Sequence, residues 1–212
     1  MSGQSLFLVI LIGMGLILIF YPRFTRKATL LLLGKAGREA VGRRALAKQP
    51  DHITLLPSSR TPSVPARRIL DTLGKAGFKP AGAFEVKEMG LLPVALMVDP
   101  AASASAAVYE HPAVGVWLDI STRYADGSSL TYSTARLGGG LDQRPGHKVE
   151  RLPGSEAGAL LSRFLSARPA GEMTPVTAEG AAEAFAAAYA ESIAWRKGRG
   201  ISADEVDRVG ME

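Results

Sequence analysis

The sequence predicts an α+β protein. One N-terminal transmembrane helix is followed by a single domain, in which helices cover one face of an antiparallel β-meander of four to five strands. Three observations carry this. An uncharged apolar run opens the chain, a strictly alternating strand pair closes on Asp126-Gly127, and helical patterns flank the β-rich middle. The expected division is an anchor at 1–22, a basic juxtamembrane segment at 23–48, a linker at 49–63 and a soluble α+β domain at 64–212.

The anchor comes first. Leu6 to Phe20 reads LFLVILIGMGLILIF, without a charge. With Ser2 to Ser5 and Tyr21 it makes a run of about 20 residues, roughly 30 Å as a helix, which matches the hydrocarbon layer. A cleaved signal peptide would carry basic residues before the run and small residues after it. Here MSGQS has no basic side chain, and the run ends in Phe20-Tyr21-Pro22-Arg23-Phe24. The expectation is an uncleaved signal-anchor with an aromatic belt at its end.

Charge then sets direction. Arg23, Arg26, Lys27, Lys35, Arg38, Arg43, Arg44 and Lys48 face a single acid, Glu39, so this short stretch carries +7 of a whole-chain +5 and leaves the rest at −2. Cations flanking only the C-terminal side of the anchor place that side in the cytoplasm and the N-terminus outside. From Thr29 to Lys48 the basic residues interleave with apolar ones. That pattern reads as an interfacial helix, its apolar side dipped into the bilayer and its cations on anionic lipid headgroups. The expected membrane-surface contacts are Arg23, Arg26, Lys27, Lys35, Arg38, Arg43 and Arg44. The mildly acidic remainder argues against nucleic acid as a partner.

Gln49 to Pro65, with four prolines, reads as a linker holding at most a short strand at His52 to Leu56. Val64 to Ala76 reads as a helix, capped by Ser63 and stopped by Gly77, with Ala66, Ile69, Leu70 and Leu73 on one face. Strands are expected at Ala83 to Lys87, Pro93 to Val98 and Ala104 to Glu110. In the next strand Val114, Val116, Leu118 and Ile120 share one face and Trp117, Asp119 and Ser121 the other, before Ser129 to Thr134 returns. Leu137 to Glu150 reads as a loop. Helices follow at Ser155 to Ala167 and Ala178 to Lys197, and Ser202 with Glu205 forms a capping box for a last short helix.

Chemistry is sparse in this pattern. The chain has no Cys, which excludes disulfides, thiolate catalysis and Cys-type zinc or iron–sulfur sites. His52, His111 and His147 show no metal-ligand spacing, and no Ser sits in a nucleophile elbow. The glycines 138–140 lack the Gly-Lys-Ser/Thr ending of a phosphate loop. No catalytic, metal or cofactor residues are therefore assigned. If helices cover only the Val114 to Ile120 face, the opposite face presents Trp117, Asp119, Ser121 and Arg123 to a protein partner. Glu179, Glu183 and Glu191 read as a solvated helix side.

Three functional classes follow. The first is a non-catalytic binding or scaffold domain held at the cytoplasmic membrane surface, working with a protein partner or as a homo-oligomer. The second is a small-molecule or lipid-binding domain with its ligand between sheet and helices. The third is a tethered enzyme using His111, Asp119 and His147.

Overall fold

The computed structural model describes residues 34–210. The apolar run and Arg23, Arg26 and Lys27 lie outside the described residues. Among those described, no helix is long and apolar enough to cross a membrane. The elements are α1 (Lys35–Ala47), β1 (Leu55–Pro57), α2 (Val64–Lys75), β2 (Lys79–Val86), β3 (Leu92–Asp99), β4 (Ala104–His111), β5 (Gly115–Arg123), β6 (Ser129–Ser133), β7 (His147–Arg151), α3 (Ala157–Ala167), α4 (Ala181–Arg199) and α5 (Ala203–Gly210).

The fold class is α+β, but the sheet is larger than the sequence indicates. It has seven strands in sequential order, antiparallel from β1 to β6, with β6 and β7 parallel. The expected meander of four to five strands is thus corrected to a seven-stranded mixed sheet. Both added strands lie at its edges. β1 sits in the proline-rich stretch. Lys87 N–H donates to the Thr54 carbonyl and Ser58 N–H to the Ala83 carbonyl, so Pro57 lies where an N–H would point away from the sheet. β7 lacks apolar alternation. Its unpaired side is covered by Gln143, whose amide accepts from Val149 N–H at 3.0 Å and donates to Val149 C=O at 2.7 Å. The crossover 134–146 has the length a parallel return needs.

Helices cover both faces, not one. The Leu118 and Ile120 stripe is fully buried, as expected, against Leu73 of α2 and Leu160 and Phe164 of α3. Val86, Val94, Leu96 and Ala107 point to the opposite face. There they form a second core with Phe185 and Tyr189 of α4. Phe185 and Tyr189, four residues apart on one side of α4, are the aromatic residues of that helix that pack against this core. β3 is buried on both faces through Leu96, Met97 and Val98, the pattern of a strand sandwiched between helices.

The helix ends follow local chemistry. Ser63 Oγ accepts from Ala66 N–H, and Pro65 occupies the first turn of α2. Ser202 and Glu205 exchange backbone-to-side-chain bonds of 2.9 and 3.2 Å at the start of α5.

Candidate functional site

The sheet face assigned to a partner is already occupied. α4 lies along it, so Trp117, Asp119, Ser121 and Arg123 are all half-buried. Trp117 stacks on Tyr109 with ring centroids 4.6 Å apart, and Tyr109 meets Phe185 of α4 at 6.1 Å. Ser121 Oγ bonds Ser105 Oγ at 2.9 Å. Arg123 pairs with Glu191 of α4 at 2.8 Å, and Arg144 reaches the same carboxylate at 3.2 Å. Glu191 is therefore a clamp between helix and sheet, not part of a solvated side.

Asp119 is the least satisfied group on this face. Strand register places Ala107, Asp119, Ser133 and Arg151 in one row across β4 to β7. The Oδ1 of Asp119 and the Nε of Arg151 are both sealed from solvent without a hydrogen-bond partner. Burial raises the Asp119 carboxyl above its usual value, offset in part by the Ser133 hydroxyl, the Arg151 guanidinium and Tyr109. Burial, and then the neighbouring Asp119, push the Tyr109 hydroxyl well above its ordinary value.

The three residues of the enzyme reading are not brought together. His111 Nδ1 accepts from the N–H groups of Ala113 and Val114 in the β4–β5 turn. Asp119 stands four residues along β5 from Gly115, the partner of His111, about 13 Å at strand rise. His147 lies toward the far end and pairs instead with Ser129, its Nδ1 2.8 Å from Ser129 Oγ. That pair lines an open cleft of about 310 Å³ with Tyr124, Arg144 and Lys148. A neighbouring cleft of about 330 Å³ runs past Tyr124 and Pro169 to Glu172. Burial, then Arg144 and Arg123, lower the His147 pKa, which favours the neutral imidazole. Sequence reading missed this pair because it depends on the parallel β6–β7 register, inside a stretch that reads as loop.

A second polar centre holds the glycine-rich crossover. Glu205 is fully buried, and accepts from Asp142 N–H at 2.9 Å, Ser202 N–H at 2.9 Å and Arg199 at 2.7 Å. Although burial opposes ionisation, the donors together take its pKa down to about 2. Asp142 is in turn gripped by Arg199 and Arg208. Gly140 has no room for a side chain, since a Cβ there would stand 2.6 Å from Val209 N. Among the described residues no group of His, Asp and Glu has the arrangement of a metal site.

α1, which lies in the segment expected to flank the membrane, is docked on the rest of the domain. Gly42 and Leu46 of α1 are buried. A Cβ on Gly42 would lie 3.0 Å from Ile201 Cβ, and Arg38 pairs with Asp207 of α5 at 2.7 Å. Of the apolar residues expected to dip into lipid, Leu46 faces protein, whereas Ala36, Ala40, Val41 and Ala45 stay exposed. Lys35, Arg43 and Arg44 stay exposed, whereas Arg38 is half-buried in its ion pair.

No family model, curated protein or solved structure matches the chain.

Proposed function

We propose that the chain is a single-pass membrane-anchored module of the binding or scaffold kind, its N-terminus outside and its folded domain on the cytoplasmic surface. The observation that carries this reading is the uncharged run Leu6 to Phe20, flanked by cations on one side only. The docking of α1 supports it, because a helix packed on α5 couples the domain closely to whatever holds residues 1–33.

The condition of the polar groups supports a binding role. Arg123, Glu191, Asp142, Arg199, Arg208 and Glu205 all join elements of this chain to one another. Accessible apolar surface remains at one end of the sheet, where Val64, Leu91 and Val114 are 60%, 49% and 43% exposed. These are the start of α2, the β2–β3 turn and the β4–β5 turn. Cross-linking of the full chain in membranes should give a stoichiometric partner or a homo-oligomer, lost in the double variant Leu91→Asp, Val114→Asp. A monomer with no cross-linked product would overturn this reading.

One observation favours a second reading, a tethered enzyme. Ser129 and His147 form a hydroxyl–imidazole pair in an accessible cleft, the nucleophile–base element of acyl transfer. A fluorophosphonate probe that labels the wild type but not Ser129→Ala would support it. No labelling would end it. The small-molecule reading finds less support. Phe164, Leu160, Leu118 and Ile120 fill the space between sheet and helices at 0% exposure, and the two clefts lie at the sheet's end.

A further inference from the structure

We infer that the domain meets the bilayer through the outward arc of α1, with anionic phospholipid headgroups as its partner. α1 then acts as a plate between membrane and domain. This rests on the anchored reading above and adds an orientation to it.

The helix is two-sided in charge, not in hydrophobicity. Its inner side holds Arg38, Glu39, Gly42 and Leu46, positions about one turn apart that are half-buried or buried. The only acid of the helix is therefore turned inward, and Arg38 is neutralised by Asp207. The outer side carries Ala36, Ala40, Arg43, Arg44, Ala47 and Lys48, all exposed. Among the described residues no ion pair engages Arg43, Arg44 or Lys48. Small alanines between long cations let a helix lie close to a headgroup layer while guanidinium and ammonium groups reach phosphates.

Chain length brings this arc to the membrane. Thirteen residues, 22–34, separate the apolar run from α1, which reach at most about 45 Å at full extension. Three of them, Arg23, Arg26 and Lys27, are cations. Leu46 packs inward on protein, so the contact with lipid is carried chiefly by the cations, with the exposed Val41 beside them.

The absence of Cys makes the test direct. The full chain, carrying a single NBD-labelled Ala40→Cys, is reconstituted into nanodiscs of pure phosphatidylcholine or of 70:30 phosphatidylcholine:phosphatidylglycerol. The expected result is a blue-shifted emission, with quenching by a headgroup quencher several-fold stronger in the anionic discs. Both effects are lost in 1 M salt, where screening acts within about 3 Å, and in the triple variant Arg43→Glu, Arg44→Glu, Lys48→Glu. A probe at exposed Ala159 of α3 should show no lipid dependence. An Ala40 signal that is identical in both lipids, in a chain retained through alkaline carbonate, overturns the orientation alone. A chain released by carbonate overturns the anchored reading as well.

Discussion

Asp119 and Glu205 are both carboxyls withdrawn from solvent, and their surroundings push them in opposite directions. For Asp119 burial dominates and its folded pKa is raised. The ionised form is then disfavoured by folding, so its contribution falls as pH rises from the unfolded value through the folded one. Asp119→Asn should raise stability at pH 7 and flatten that part of the pH profile, as read by urea unfolding of the full chain in micelles. No gain at pH 7 would mean that Arg151 compensates the charge fully. Glu205 is the reverse case. Its folded pKa of about 2 lies below the ordinary 4.5. Its stabilisation is therefore complete above 4.5 and is lost as pH falls toward 2. Glu205→Gln should cost about 3 kcal/mol at pH 7, since it leaves the half-buried Arg196 and Arg199 facing a neutral amide, and should remove that acid sensitivity. A third residue, Leu91, holds a left-handed backbone at φ 60° while 49% exposed. Leu91→Gly should relieve about 1 kcal/mol. A loss of stability there would show that the leucine packs in the folded state.

At the scale of elements, α2, β5, β6 and α5 were legible because each writes its own signal. Ser63 and Gly77 bracket α2, period-two alternation marks β5, and the capping box opens α5. β1 and β7 were not. They are edge strands held by backbone pairing and, for β7, by Gln143, and neither needs an apolar face. The Ser129–His147 pair went unread with β7. The buried role of Asp119 went unread with α4, whose aromatic stripe was visible although the face it covers was not. The seam between α1 and α5 belongs to this scale too. Gly42 sits 3.0 Å, measured from a built Cβ, from Ile201. Gly42→Leu should therefore wedge the helices apart and break the Arg38–Asp207 pair, at a cost of about 2 kcal/mol. Hydrogen exchange should show faster exchange in α1 and α5, while β3 to β5 stay protected. Uniform protection would mean that the seam can repack.

At the scale of the whole molecule, one sheet is closed on both faces, and its charges are largely spent on holding crossover, C-terminal helices and sheet together. Arg43, Arg44 and Lys48 of α1 stay exposed and, among the described residues, join no ion pair, next to the part of the chain that reads as an anchor. The net positive charge of the sequence is carried by residues 23–48, the remainder summing to −2. On the proposed reading this arc of α1 faces the cytoplasmic leaflet, with the domain behind it. Reporter fusions at the C-terminus test it most directly. Bright GFP fluorescence and no alkaline phosphatase activity are expected in membranes that retain the protein through a carbonate wash. Phosphatase activity without GFP fluorescence would contradict it.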